Sequence, residues 1–267
     1  MPSAAFTELA EARHLAADLR VQLSKASDSS NRAVMADTGE ASVAFAREAE
    51  QTKGALNTDL AAIEPRLRSL GYAPELKSLQ EFKDHFADYE KLDHTILEFA
   101  VENTNLKAQR LSFGPAQEAS DAFRDSLDTL VTQAPSKNRC QMESLVAKAV
   151  VAVREIQVIH ARHIAESDDA VMTRLEKDMA VRETTAREAV NALGKLVAGQ
   201  EQLATATTAL DRFQSNSREI VKLSRRNSNV RSLELSLRQK PTVIAACDES
   251  LRNLQDALAK EMSTGTR

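Results

Sequence analysis

The side chains best suited to bind a ligand lie in a short asparagine-rich stretch of this sequence. Asn103 is followed by Lys107 one helical turn later, and Arg110 comes three residues after that. Residues three or four apart share one face of a helix, and the apolar stripe that reaches Phe99 and Ala100 predicts that this face points inward. The stretch therefore predicts a polar site, and its cations favour a small anionic ligand such as a carboxylate.

The predicted end of the same helix strengthens the anion prediction. Gly114 and Pro115 are expected to form a turn, so that a new helix begins at Pro115. The first amides of a helix have no helical acceptor, and the helix dipole makes that end positive. Such an end attracts anions. In the second half of the chain, Pro241 is expected to open the corresponding helix.

The asparagine-rich stretch occurs a second time, 124 residues later. Asn227 and Arg231 repeat the amide and the cation, whereas Glu234 stands in the place of Arg110, so the second copy should attract an anion less strongly. The alternative is that each Asn sets helix register or caps a helix end while the cations reach water. The predicted ligand-binding residues are Asn103, Lys107, Arg110, Asn227 and Arg231.

Motifs for catalysis and for metal binding are scarce. The sequence contains no glycine-rich phosphate loop, no GxSxG turn and no HExxH pair. A di-metal helical bundle needs two Glu-x-x-His motifs, and the chain has one, from Glu11 to His14. His160, His163 and Glu166 recur every three residues, but such ligands drift around a helix and need a fourth from elsewhere. We expect no catalytic residue, no metal and no cofactor, with a metal-binding bundle as an alternative.

The elements that position these residues are predicted to be long helices. The chain has 267 residues but only seven Gly and six Pro, and good helix formers dominate it. Apolar residues recur at three- and four-residue steps along most of the length. The predicted helices are A (3–35), B (to 70), C (74–112), D (115–133), A′ (138–165), B′ (167–199), C′ (to 238) and D′ (from 241).

The match between the two asparagine stretches extends along the chain without a gap. At the same offset it pairs Tyr89 with Phe213 and Leu127 with Leu251, and other apolar positions also fall on apolar positions. The chain therefore consists of two copies of one helical unit. We predict an all-α fold with two tandem antiparallel four-helix up-down units, 1–133 and 134–267. Pro135 leaves open whether the units stack end to end or lie side by side.

Charge and hydropathy exclude two classes of partner. The formal net charge of −4 and the pI of about 5.8 argue against a general nucleic-acid binder, which needs a basic face. No run of 18 apolar residues and no signal-peptide pattern is present, so a membrane contact would require an anchor helix outside this sequence. Cys140 and Cys247 are predicted toward opposite ends of one bundle and should be free thiols.

The stretch from Leu79 to Leu130 resembles a known family. The residues that carry the resemblance are Phe82 to Tyr89, Leu92, Ile96, Ala100, Asn103, Ala108, Leu111, Phe123, Leu127 and Leu130. The stretch is similar to the later half of the four-helix-bundle sensor domain of methyl-accepting chemotaxis proteins. Leu203 to Leu254 repeats the resemblance. A helical bimodular sensor, with two bundles, is the nearest known arrangement.

The resemblance implies a periplasmic, or otherwise extracytoplasmic, module that binds a small molecule and signals through a membrane helix. Sensor bundles of this kind often form homodimers through one helix face. The expected function is that of a non-catalytic sensory module of a chemoreceptor-like protein, with a small carboxylate as its ligand and no nucleic-acid partner. The alternative is a structural helical protein, in the cytoplasm, whose exposed faces bind other helices.

Overall fold

The computed structural model describes residues 4–197 and 201–264, and every regular element in these ranges is a helix. The all-α prediction is confirmed. The predicted start of helix A at Ser3 and end of helix B′ at Gly199 lie outside the described residues. The helices are α1 (Ala4–Met35), α2 (Gly39–Leu70), α3 (Ala73–Glu102), α4 (Thr104–Leu111), a π-helix (Ser112–Ala116), α5 (Gln117–Thr132), α6 (Arg139–Ala165), α7 (Asp169–Leu196), α8 (Glu201–Arg226), α9 (Ser228–Arg238) and α10 (Lys240–Thr264).

The described helices form two units of long helices, as the sequence predicted. Unit 1 contains α1, α2, α3 and α10, whereas unit 2 contains α4 to α8 with the π-helix. The chain enters unit 2 at Thr104 and leaves it at Val230. Each unit therefore combines helices A, B and C of one repeat with helix D of the other. The division predicted at 1–133 and 134–267 differs from this one and is corrected accordingly.

The correction follows from the absence of the predicted turn at Gly114–Pro115. The chain remains helical from Thr104 to Thr132, with the π-helix in its middle. A proline ring would clash with the carbonyl of the preceding turn of an α-helix, and the wider π turn gives it room. Helix D thus continues along the line of α4 and cannot fold back on α3.

The second repeat lacks the corresponding turn as well. Gln239 alone separates α9 from α10, and its N–H still donates to the carbonyl of Leu235 at 3.0 Å. Because helix D′ does not fold back on α8, it is free to pack on α3. His85 Nδ1 lies 2.7 Å from Ser250 Oγ across that packing.

The core of unit 1 is built around aromatic residues of α3. The rings of Phe82 and Phe86 stack at 5.7 Å, and those of Phe86 and Tyr89 at 5.8 Å. Each large apolar side chain that is fully buried contributes roughly 1.5–3 kcal/mol, so α10 is fixed largely by its leucines. The buried residues that surround the rings include Leu19, Leu56, Ile63, Leu67, Leu251 and Leu254.

The core of unit 2 uses the equivalent helices of the other repeat. Phe123 and Leu127 of α5 pack with Ile156 of α6 and with Phe213 of α8.

The two cysteines are both free thiols, which confirms the prediction; Cys140 is exposed and Cys247 is buried. Among the described helices, none combines the length and hydropathy that crossing a membrane would need.

Candidate functional site

Asn103 and Asn227 each interrupt a helical path by a single residue. Their φ angles are 52° and 53°, and they are the non-glycine residues with positive φ in the described part of the chain. Asn adopts this left-handed conformation more readily than most residues. The N–H of Asn103 still bonds the carbonyl of Phe99, and that of Asn227 the carbonyl of Leu223, both at 3.4 Å. Each Asn therefore ends one helix and lets the next begin at once.

The two helices that begin after these breaks cap each other. Thr104 N–H donates to Ser228 Oγ and Ser228 N–H donates to Thr104 Oγ1, both at 3.0 Å. Asn105 N–H donates to Asn229 Oδ1 at 3.1 Å, and Asn229 N–H donates to Asn105 Oδ1 at 3.2 Å. The first amides of a helix lack helical acceptors, so four side chains satisfy four such amides. The two copies of the repeated stretch thus contact each other through the same bonds in both directions, with local two-fold symmetry.

The asparagine amides also satisfy the end of α6. Asn105 Nδ2 donates to the carbonyl of Ile164 at 2.8 Å and to Asn227 Oδ1 at 2.7 Å. Asn227 Nδ2 donates to the carbonyl of Glu166 at 2.9 Å. The last carbonyls of a helix have no helical donors. This geometry corresponds to the capping alternative for the repeated Asn.

The structure separates the predicted ligand-binding residues into two groups. Asn103 and Asn227 are buried, whereas Lys107, Arg110 and Arg231 are exposed. The prediction that the cations face inward is wrong, because a left-handed residue turns the following helix relative to the apolar stripe before it. No helix begins at Pro115, so the free amides expected there are also absent. Binding of a carboxylate by these residues stays a prediction.

A pocket of about 230 Å³ lies beside the crossing of the two asparagine stretches, within unit 2. Both copies of the stretch contribute to it, together with the π-helix and the end of α6. Phe113, which the π turn carries, lies at its rim with 68% of its surface exposed. The lining residues are Asn105, Leu106, Gln109, Ser112, Phe113, Ala161, Ile164, Ala165 and Asn229.

The lining of this pocket is mostly apolar, with some polar side chains, and carries no ionisable side chain. Gln109 supplies an amide and Ser112 supplies a hydroxyl, the side chains of Asn105 and Asn229 already bond across the crossing, and the remaining lining residues are apolar. Lys107 and Arg110 are not part of the lining. The repeated stretch forms the crossing beside this pocket. The helical spacing that predicted Lys107 and Arg110 to point inward extended the stripe of α3 past the break at Asn103, and neither residue lines the pocket.

A Ser–His–Glu chain that the sequence did not reveal lies in the core of unit 2. His163 Nδ1 lies 2.7 Å from Ser224 Oγ, and His163 Nε2 lies 3.0 Å from Glu176 Oε1. The order of partners resembles a hydrolase triad. However, Ser224 and His163 are fully buried, and Ser224 Oγ donates to the His163 carbonyl at 2.7 Å. The arrangement therefore links helices and offers no accessible nucleophile.

The residues of the alternative metal site contact other partners. His160 Nε2 lies 2.8 Å from Ser217 Oγ, and burial, followed by the nearby His163, lowers the pKa of His160 to about 4. Glu166 accepts backbone N–H groups at the start of the next helix. His14, an exposed residue of α1, pairs with Asp18 at 3.2 Å. In residues 4–197 and 201–264, no three His, Cys, Asp or Glu side chains are grouped so as to hold a metal ion.

Comparison with known proteins adds little to this description. No protein-family model matches the chain, and no curated protein matches it. Among solved structures, the chain is similar to a chain in the crystal structure of the TorS sensor domain–TorT complex in the presence of TMAO. The sequences are 10% identical, the alignment covers 96% of this chain and 100% of the other, and the TM-score is 0.40. At this TM-score the similarity carries no functional argument.

Proposed function

We propose that this chain is a non-catalytic sensory module that binds a small molecule in the pocket beside the asparagine crossing. The observation that carries the proposal is that both copies of the repeated stretch meet to build this pocket. A helix–helix contact that served only to cap helix ends would not require a concave surface beside it. The π-helix supports the proposal, since such interruptions of an α-helix are frequent at functional sites.

The lining favours a small neutral molecule with hydrogen-bonding groups and a short apolar part. Amide and hydroxyl groups both donate and accept, and no cation lines the pocket to offset the desolvation of a carboxylate. The volume of about 230 Å³ lies below the range of about 300–1,000 Å³ that is usual for drug-sized ligands. The ligand is therefore smaller than a typical drug molecule.

We also propose that the chain is the sensor part of a chemoreceptor-like protein and works outside the cytoplasm. The sequence resemblance of Leu79–Leu130 and Leu203–Leu254 to the sensor domains of methyl-accepting chemotaxis proteins supports this assignment. Long helices that span a whole unit support it too, because a rigid helix can carry a displacement from a binding site to a distant end.

A carboxylate ligand at the exposed cations is the second candidate. Lys107 and Arg110 form no ion pair within the described residues, so both charges are available to an anion. This candidate rests on the charges alone, since neither residue lines the pocket beside the crossing.

A thermal-shift screen of small amides, polyols, amino acids and organic acids tests both candidates. A ligand at a hundredfold excess over its Kd should stabilise the protein by about 2.7 kcal/mol. Gln109→Leu should abolish the response to a neutral ligand, because Gln109 is exposed and caps no helix. Lys107→Ala is the matched control and should leave that response unchanged.

The outcomes separate the two candidates and can reject both. Loss of an organic-acid response in Lys107→Ala and Arg110→Ala, with Gln109→Leu unaffected, would move the site to the exposed cations. A neutral ligand that stabilises Gln109→Leu as well as the parent protein would reject the pocket as its site. No response to any compound would reject the sensory function and favour a structural protein.

A further inference from the structure

The hydroxyl of Ser112 has no hydrogen-bond partner within residues 4–197 and 201–264, although only 6% of this residue is exposed. Ser112 begins the π-helix and lines the pocket beside the asparagine crossing. At the position that the repeat relates to it, Ser236 Oγ donates to Asn31 Oδ1 at 3.0 Å. A buried hydroxyl without a partner is unfavourable. The hydroxyl of Ser112 is therefore available to a molecule in the pocket, whereas that of Ser236 is already bonded.

The next residue, Phe113, exposes an aromatic ring at the rim of the same pocket, with 68% of its surface accessible. Ala161 and Ala165, one turn apart on α6, form part of the wall. Alanine side chains project little from a helix, so this part of the wall is shallow. A ligand that covers these apolar surfaces gains free energy by removing them from water, and an aromatic ring favours a planar partner on which it can stack.

The carboxamide of Gln109 is the second polar group of the pocket that no other side chain occupies in the described part of the chain. A carboxamide presents a donor and an acceptor side by side. Two such groups can pair with each other, and in nucleic-acid recognition a Gln amide pairs in this way with the edge of a base. Gln109 therefore favours a ligand that carries a donor and an acceptor next to each other, and Ser112 can bond the same group.

We propose that the pocket recognises a single planar aromatic ring bearing a carboxamide or an equivalent donor–acceptor edge. This inference rests on the proposed function and names the ligand class of that site. Phe113 stacks on the ring and decides its shape, while Gln109 and Ser112 bond its polar edge. The volume of about 230 Å³, which is below the usual range for drug-sized ligands, suits one ring better than two.

Two neutral amides that differ in the ring test the proposal, namely the planar benzamide and the puckered cyclohexanecarboxamide. Titrations followed by amide NMR should give benzamide the lower Kd by about two- to tenfold, because stacked aromatic rings gain more than burial alone provides. Phe113→Leu keeps an apolar side chain and should remove this preference by raising the Kd of benzamide. Leu237→Ala is the matched control, since Leu237 occupies the repeat-related position, is also 68% exposed and lies outside the pocket. It should change neither Kd.

Ser112→Ala should raise the Kd of both amides by about two- to tenfold, because both carry the carboxamide. Without ligand, this variant should unfold at a urea concentration no lower than that of the parent protein, since its hydroxyl has no internal bond to lose. Ser236→Ala loses the bond to Asn31 and should unfold at a lower concentration. Equal losses in the two variants would show that the Ser112 hydroxyl is bonded within the protein and would overturn the proposal.

The remaining outcomes separate the ligand class from the proposed function. Benzamide that binds no more tightly than cyclohexanecarboxamide, or a preference that persists in Phe113→Leu, would overturn the ligand class. If neither amide binds while another compound of the thermal-shift screen binds through Gln109, the ligand class is wrong and the sensory function stands. If no compound of any class stabilises the protein, both proposals are rejected together.

Discussion

Unit 1 and unit 2 share one arrangement of helices but fill the middle of their cores with different chemistry. At positions related by the repeat, Tyr89 corresponds to Phe213 and Asp93 corresponds to Ser217. Both members of each pair are buried. The layer around Asp93 is ionic, whereas the layer around Ser217 carries a neutral hydrogen bond.

The ionic layer of unit 1 brings two lysines to one carboxylate. Lys53 Nζ lies 2.9 Å from Asp93 Oδ2 and Lys240 Nζ lies 3.3 Å from Asp93 Oδ1, with all three residues at most 4% exposed. Ser30 Oγ donates to Asp93 Oδ1 at 2.5 Å. The layer therefore connects α1, α2, α3 and α10 through a single side chain.

The two lysines respond differently to this environment. Burial acts to lower the pKa of Lys53, but the charges of Asp93 and Glu50 outweigh it and the pKa is raised. Burial dominates at Lys240, whose pKa is lowered although Asp93 is close. The charge of Lys53, which faces both Asp93 and Glu50, is thus stabilised more than that of Lys240, which pairs with Asp93 and also donates to the Ser27 carbonyl and to Asn31 Oδ1.

The corresponding layer of unit 2 has no such cluster. In unit 2, His160 of α6 bonds Ser217 of α8, whereas in unit 1 Ser30 of α1 bonds Asp93 of α3. The His160 ring also stacks on Phe213 at 5.9 Å. Ala116 stands where the repeat places Lys240. Unit 2 keeps the same fold, so the fold does not require the ions. Buried ion pairs often add little stability but can specify which elements pair. We infer that Lys240 and Asp93 select α10, and not α5, as the fourth helix of unit 1.

Removing the shared carboxylate should destabilise the protein more than any other single substitution in either layer. Asp93→Ala leaves Lys53 with Glu50 as its only carboxylate and leaves the buried charge of Lys240 without a carboxylate, and unpairing a buried charge costs about 3–5 kcal/mol. Ser217→Ala is the matched change in unit 2 and should cost about 1 kcal/mol, the net value of a neutral hydrogen bond. Urea unfolding followed by circular dichroism measures both. Equal losses would show that the two layers contribute alike.

Acid should destabilise unit 2 through His160, with a maximum effect of about 3 kcal/mol. The pKa of His160 is lowered to about 4 in the folded protein, so below pH 6.5 the unfolded chain binds the proton more readily. The free energy of unfolding is therefore not reduced by His160 above pH 6.5, and it falls as the pH drops from 6.5 to 4. Urea unfolding at several pH values should show this slope. His160→Gln keeps a hydrogen-bonding group without titrating, and a slope as steep in this variant as in the parent would contradict the assignment.

Local patterns in the sequence predicted the helices and the core residues well. Leu79, Phe82, Phe86 and Tyr89 follow the helical period and are all buried, as expected. The break at Asn103 was not expected, because a single left-handed residue leaves the apolar pattern on both sides intact. Every inward position deduced by extending the stripe beyond that residue was therefore unreliable, including that of Lys107.

The exchange of the fourth helices could not be predicted from apolar patterns either. The D helices of both repeats carry the same stripe, with Leu127 matching Leu251, so either helix satisfies either core. The dipeptide Gly114–Pro115 indicated a turn, and the π-helix that replaces it has no comparable signal. We infer that the distinguishing information lay in the polar residues, because Lys240 of α10 pairs with the buried Asp93 and Ala116 stands at the matching position of the first repeat.

The asparagine crossing differs from the two core layers, because its two halves should contribute equally to the stability of the protein. Thr104→Ala and Ser228→Ala each remove the side chain that caps the other helix, and loss of such a cap costs about 1 kcal/mol. Thr129→Ala is the control, since its exposed hydroxyl bonds only the Asp125 carbonyl of its own helix. Unfolding midpoints in urea should fall together for the first two variants. Unequal losses would show that the crossing is not energetically symmetric.

Replacing the whole ionic layer should have the smallest effect on stability, although it changes the most residues. The triple variant Asp93→Ser, Lys240→Ala and Lys53→Met leaves no buried charge, and replacing an entire buried ion cluster is often neutral or stabilising. We expect its unfolding free energy to lie within about 1 kcal/mol of the parent value. A loss as large as that of Asp93→Ala would instead assign the layer a direct role in stability.

The same triple variant tests whether Lys240 and Asp93 select α10. If they do, the variant should no longer adopt a single fold, because α5 and α10 then fit unit 1 about equally well. Its amide NMR spectrum should contain more peaks than the chain has residues, whereas a single set of peaks would contradict the selection of α10 by charge.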